Sequence, residues 1–143
     1  MELLSNINLI NLAKSLRIPL IHIGFKEEFN FKPVDGCYIV NIDSKSSNKG
    51  GTHWTGFVMK NGNVVYFDSY GMAVPIQIKK FINNYKPKRA IFSINQIQSM
   101  NSVLCGYYVL YFLYYISVKF KNCYRIGMLL NKHNSLYSLI ERN

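Results

Sequence analysis

Three residues in this chain have the types that nucleophilic catalysis needs: a histidine, a carboxylate and a thiol, at His53, Asp68 and Cys105. Cys105 stands where an amide-rich run, beginning near Ile94, gives way to an almost unbroken apolar and aromatic stretch reaching Ile116. A helix beginning near Ser102, capped by Asn101 or Ser102, places Cys105 in its first turn. Unpaired backbone N–H groups and the helix dipole stabilise an anion there, and a thiolate is such an anion. It still needs a base. Of the three histidines, His133 lies in a polar tail and His22 in an expected strand. His53 stands in Gly50-Gly-Thr-His-Trp-Thr-Gly56, a glycine-rich loop entering a hairpin, and such loop edges commonly display catalytic groups.

The hairpin supplies the geometry. Two short apolar runs, Trp54 to Met59 and Val64 to Asp68, flank Asn61-Gly62, the strongest short-range hairpin signal. A two-residue turn sets Thr55 opposite Asp68, so His53, two residues earlier, shares a face with the acid. Diagonal neighbours of this kind lie about 7–8 Å apart at Cα, within reach of a carboxylate for an imidazole. A one-residue slip would separate them onto opposite faces. For the oxyanion of an acyl transfer, backbone N–H groups at the helix start and a side-chain amide would serve; Asn95, Gln96, Gln98 and Asn101 are available. Taken singly, each piece has a plain reading. A cysteine in an apolar helix is ordinarily a core residue, a histidine beside Trp54 a packing fixture, and Asp68 before Ser69-Tyr-Gly71 a turn former.

The elements that must position these residues are legible in outline. Leucines and isoleucines between Leu3 and Leu16 recur at helical spacing, Ile18 to Ile23 reads as extended, and Gly36 to Asp43 as a strand. Ser44 to Gly51 is a loop by composition. Val74 to Tyr85 predicts a short amphipathic helix opened by Pro75 and ended by Pro87, followed by a strand over Arg89 to Ile94. The stretch after Ser102 is apolar all round, as in a buried central helix. Val103 to Val118 is short for a membrane span and rich in tyrosine, so no membrane association is expected.

At 143 residues the chain reads as a single domain, 1–143, with enough length for a real core. Cys37, Cys105 and Cys123 are odd in number and without CxxC spacing, which argues against a disulfide framework or a metal site, and no metal is expected. The N-terminus lacks the basic start and unbroken apolar core of a secretion signal. Seventeen Lys and Arg against seven Asp and Glu give a formal charge of +10, which favours polyanions such as DNA. The densest cluster, Lys79, Lys80, Lys86, Lys88 and Arg89, reads either as a solvated face or as a polyanion-binding patch.

Three blocks, Gly50-Gly-Thr-His-Trp54, Val65-Tyr-Phe-Asp-Ser-Tyr-Gly71 and Gln98-Ser-Met-Asn-Ser-Val-Leu-Cys-Gly-Tyr107, resemble the active-site blocks of the adenovirus maturation protease (adenain-like) family of cysteine peptidases. That family includes virophage and Polinton-type relatives and, more distantly, the SUMO and ubiquitin-like-protein peptidases. The resemblance covers roughly residues 36 to 116. It implies His53 as general base, Asp68 as its orienting acid, Cys105 as nucleophile and Gln98 as oxyanion-hole side chain, with Trp54 and Gly106 supporting. It further implies an α+β fold with a central, mostly antiparallel sheet and a buried helix carrying the nucleophile at its N-terminus. The implied activity is a virus-encoded endopeptidase that cleaves capsid or core precursors during virion maturation, located in the virion and the infected cell. Two departures stand out. Asp68 occupies the place of the adenoviral Glu, and no cysteine lies between Asp68 and Cys105 to attach an activating peptide by disulfide. An activating peptide and DNA as stimulating cofactor remain expectations, with no other cofactor required. A deconjugase of ubiquitin-like modifiers and a basic nucleic-acid-binding protein with a vestigial triad are the alternatives.

Overall fold

The structure, a computed structural model, describes residues 4–43, 53–93, 95–97 and 104–120. In chain order it comprises α1 (Asn6–Ser15), β1 (Leu20–Phe25), β2 (Gly36–Asn41), β3 (Trp54–Lys60), β4 (Asn63–Phe67), α2 (Ile76–Asn84), β5 (Arg89–Phe92) and α3 (Cys105–Tyr114), which runs on as a π-helical segment, Tyr115–Phe120. The α+β class expected from the sequence is the class observed.

The five strands lie in the order β1-β2-β3-β4-β5. The centre is antiparallel, as expected, through β2–β3 and β3–β4, whereas the marginal pairs β1–β2 and β4–β5 are parallel. The second parallel pairing follows from α2, because a helix between two strands returns the chain to the end it left.

Both faces of the sheet are covered, and the strands therefore read as nearly continuous apolar runs. Cys37, Ile39, Trp54, Val58, Val65 and Phe67 face a core shared with α1 and α3, whose Leu9, Ala13, Val109, Phe112 and Leu113 are buried against them. The alternate residues Tyr38, Val40, Phe57, Met59, Val64 and Tyr66 meet Ile78, Phe81 and Ile82 of α2. Aromatic stacking ties both layers: Tyr38 on Phe57 at 4.7 Å and Phe67 on Phe112 at 4.9 Å between ring centroids.

Two local features decide where the site forms. Asn61 and Gly62 both have positive φ, 52° and 82°, which is the two-residue turn that matches strand twist. It sets Lys60 against Asn63 and Gly56 against Phe67 without a bulge. Gly56 also lets α3 lie close on the sheet: a Cβ there would stand 2.8 Å from Val109 Cγ1 and 3.1 Å from the Tyr38 carbonyl oxygen. The helix that carries Cys105 is thus seated by β3, the strand that His53 immediately precedes.

Candidate active site

His53 and Asp68 stand at the same end of the hairpin, one just before β3 and the other just after β4. The Ile42 N–H donates to the His53 carbonyl at 3.1 Å, extending the β2–β3 ladder onto the histidine. With the register continued by one pair, Thr55 opposes Asp68, and the two side chains meet: His53 Nε2 lies 2.7 Å from Asp68 Oδ1. Both residues are buried, Asp68 completely.

Cys105 is the first residue of α3, with Leu104 at the N-cap and no side chain capping the helix. Asn101 and Ser102, expected to cap it, lie outside the described residues, as do Gln98, Gly50 and Gly51. The Trp54 N–H points at Cys105 Sγ, 3.4 Å away. Cys105 is fully buried, so the Trp54 main-chain donor stands beside its sulfur away from solvent. The Trp54 indole N–H donates to the Leu4 carbonyl at 3.0 Å. A Cβ on Gly106 would lie 3.2–3.3 Å from atoms of Leu4 and Leu9, so the small residue after Cys105 makes room for the N-terminal segment to pack on the helix start.

The imidazole is held between the acid and the thiol. Burial alone would lower the His53 pKa, but the bond to Asp68 and the interaction with Cys105 outweigh it and raise the pKa from 6.5 to about 9. Because Nε2 is committed to Asp68, the buried Nδ1 is the nitrogen left for proton exchange. Nucleophile–base pairs are commonly looser without substrate than with it.

Sequence reasoning missed two participants. The Tyr70 ring lies flat on the imidazole, with centroids 4.0 Å apart and planes 10° from parallel. Its N–H donates to Asp68 Oδ1 at 2.8 Å, so one residue fixes the ring from above and the acid from below. Burial and the neighbouring Cys105 and Asp68 push the Tyr70 hydroxyl pKa up. Asp68-Ser-Tyr-Gly71 carried a turn signal, and the turn forms, with the Gly71 N–H bonded to the Asp68 carbonyl at 2.9 Å. What the signal did not reveal is that the turn folds Tyr70 back over His53. The second participant, Ser93, carried no signal; its hydroxyl accepts from the Asp68 N–H at 2.9 Å.

The basic cluster lies elsewhere. Lys79, Lys80, Lys86, Lys88 and Arg89 are all exposed. Arg89 pairs with Asn63 at the hairpin-turn end of the sheet, and the Lys88 N–H bonds the Gly62 carbonyl at 2.7 Å. Asp68 lies five positions beyond Asn63, just past the end of β4, so the two sites are about 17 Å apart along the strand. Among the described residues no group of three His, Cys, Asp or Glu side chains could hold a metal ion, and no helix is long and apolar enough to cross a membrane.

No protein-family model matches the chain, and no curated protein matches it. Two solved structures resemble it in fold, both crystal structures of the ASFV pS273R protease. One is 15% identical with a TM-score of 0.44, over 71% of this chain and 36% of that one. The other, a selenomethionine form, is 17% identical with a TM-score of 0.46, over 75% and 39%. The chain thus corresponds to less than two fifths of that protease's length.

Proposed function

We propose that this chain is a cysteine endopeptidase that cleaves precursor proteins of a virus-type particle through Cys105, His53 and Asp68. The observation that carries the reading is the convergence of three distant segments: His53 Nε2 lies 2.7 Å from Asp68 Oδ1, and the thiol that interacts with this imidazole opens α3.

In this reading the proton of Cys105 resides on His53, and the thiolate attacks the carbonyl carbon of the scissile bond. The oxyanion is met by N–H groups at the α3 start and, as the family resemblance implies, by the Gln98 amide. His53 then gives a proton from Nδ1 to the leaving amine, whose departure leaves a Cys105 thioester. The neutral imidazole next takes a proton from water, hydroxide adds to the thioester, and the acid product leaves as the thiolate is restored. Asp68 keeps Nε2–H oriented throughout, stabilises the imidazolium whenever it forms, and does not itself transfer a proton.

Precursor polypeptides as substrates, an activating peptide, DNA as a stimulating polyanion at the basic cluster, and residence in virion and infected cell complete the proposal. They rest on the three-block resemblance and the +10 charge. The test is expression with the structural precursors of the same genome, followed by mapping of new N-termini. Cleavage by the wild type and none by Cys105→Ala supports the reading; equal cleavage by both defeats it. Labelling of Cys105 by ubiquitin or SUMO vinyl electrophiles, with precursors left intact, would reassign the enzyme to deconjugation.

A further inference from the structure

The ladder between β4 and β5 stops one residue short of the acid. Tyr66 and Phe92 form its last pair, and the Ser93 N–H donates to the Tyr66 carbonyl at 2.9 Å. The chain then leaves β5, and Asp68, completely buried, has no backbone partner there for its N–H. The Ser93 hydroxyl takes over. It accepts from the Asp68 N–H at 2.9 Å and lies 3.3 Å from the Asp68 carbonyl oxygen, to which it donates. Four residues on, the Ile97 N–H donates to the Ser69 carbonyl at 2.9 Å, so the segment is tied again just past the acid.

Resting on the cysteine-peptidase reading, we infer that Ser93 is a positioning residue of the catalytic acid, its hydroxyl gripping both main-chain polar atoms of Asp68 and thereby aiming the carboxylate at His53. The side chain of Asp68 cannot aim itself. Oδ1 holds His53 Nε2 and the Tyr70 N–H, while Oδ2 is buried with no hydrogen-bond partner among the described residues. A carboxylate anchored through one oxygen can rotate about that oxygen unless its own backbone is fixed, and its orientation sets the 2.7 Å contact. Ser93 also stands five residues before Gln98 and twelve before Cys105 in the chain. The same hydroxyl therefore registers the strand carrying the acid against the segment that leads to the nucleophile.

The groups that face His53 are Asp68, Cys105 and Tyr70, so a shift in the acid is read directly on the imidazole. The experiment compares wild type with Ser93→Ala, Ser93→Thr and, as a packing control far from the site, Ile78→Val. It follows iodoacetamide alkylation of Cys105 against pH and the imidazole titration of His53 by NMR. Ser93→Ala is expected to slow alkylation at pH 7 about tenfold, the scale of a modest misplacement of a catalytic group, and to lower the His53 midpoint by about one unit. Ser93→Thr, which keeps the hydroxyl, should return both to within about twofold of wild type. Ile78→Val should lower the thermal midpoint and move neither. Wild-type behaviour of Ser93→Ala in both readouts would overturn the inference, as would equal shifts in Ile78→Val. Should Ser93→Ala not fold, Ser93→Cys, which keeps the volume with a poor hydrogen-bonding group, reads the same shifts. Both readouts are independent of any substrate. A wild type that cleaves no precursor, with a His53 midpoint still moved by Ser93→Ala, would refute the peptidase reading and support the role of Ser93.

Discussion

Replacing Asp68 by Asn keeps shape and a hydrogen-bond acceptor but removes the charge that faces His53 across 2.7 Å. In the folded protein the imidazole titrates at about 9 instead of 6.5, although burial, the first influence on it, acts downward. At about 1.4 kcal/mol per unit, that rise corresponds to roughly 3 kcal/mol of preference for the charged ring, shared between Asp68 and Cys105. The sign follows from the direction of the shift. A raised histidine pKa stabilises the fold fully below pH 6.5, and that stabilisation fades as pH climbs through about 9. Asp68→Asn should therefore unfold at lower urea at pH 6, by about 1–3 kcal/mol, with the gap to wild type closing above pH 9. Its His53 midpoint should fall by about 1–2 units, and its kcat/KM by about 10²–10⁴-fold, the range of a general base put out of action. Urea melts at pH 6, 7.5 and 9.5, NMR titration of the imidazole and turnover of a cleaved precursor peptide measure all three. A His53 midpoint unmoved in Asp68→Asn would show that the acid does not set the charge of the base, and the triad argument would fail with it.

Four further outcomes are expected. Cys105→Ala should abolish turnover and irreversible alkylation at this position while unfolding within about 2 kcal/mol of wild type, since only a sulfur is lost from the core; circular dichroism and urea melts check the fold. Tyr70→Phe should keep the ring stacked on His53 and near-wild-type kcat, whereas Tyr70→Ala should lower the His53 midpoint, the stacked face contributing about 1 kcal/mol to a charged partner. Gly56→Ala forces a methyl to 2.8 Å from Val109 Cγ1 and should cost about 1–3 kcal/mol by overpacking, read as a lower thermal midpoint. Paired Lys88→Glu and Arg89→Glu should flatten the salt dependence of DNA binding by about two units of slope and leave DNA-free kcat unchanged, because the cluster stands about 17 Å from Asp68; a changed DNA-free kcat would contradict that separation.

Much of the site was legible because it hangs on one short-range signal. Asn61-Gly62 dictates turn type, turn type dictates register, and register alone brings residues 53 and 68 together. The start of α3 was legible for a different reason, the abrupt change from amides to apolar residues, with the cap at Leu104 and Cys105 as the first helical residue. What escaped is everything set by chain reversal beyond a hairpin. Tyr70 covers His53 only because the turn at Gly71 folds it back, and the parallel margins of the sheet depend on crossover direction, which apolar periodicity does not encode.

The N-terminal segment makes the same point from the opposite side. None of the candidate site residues lies in its first twenty positions, and it is outside the three-block resemblance. Yet the Leu4 carbonyl accepts from the Trp54 indole, and Leu4 with Leu9 fills the space that Gly106 leaves open beside Cys105. The residues that follow His53 and Cys105 are therefore both braced by Leu4. A side chain larger than hydrogen at position 106 would push Leu4 away from the helix start, and the indole bond that holds Trp54, whose N–H reaches the Cys105 sulfur, would be strained in the same movement. Packing in this region is thus coupled to the surroundings of the Cys105 sulfur, and apolar residues of the N-terminal segment brace a candidate site to which they contribute no reactive group.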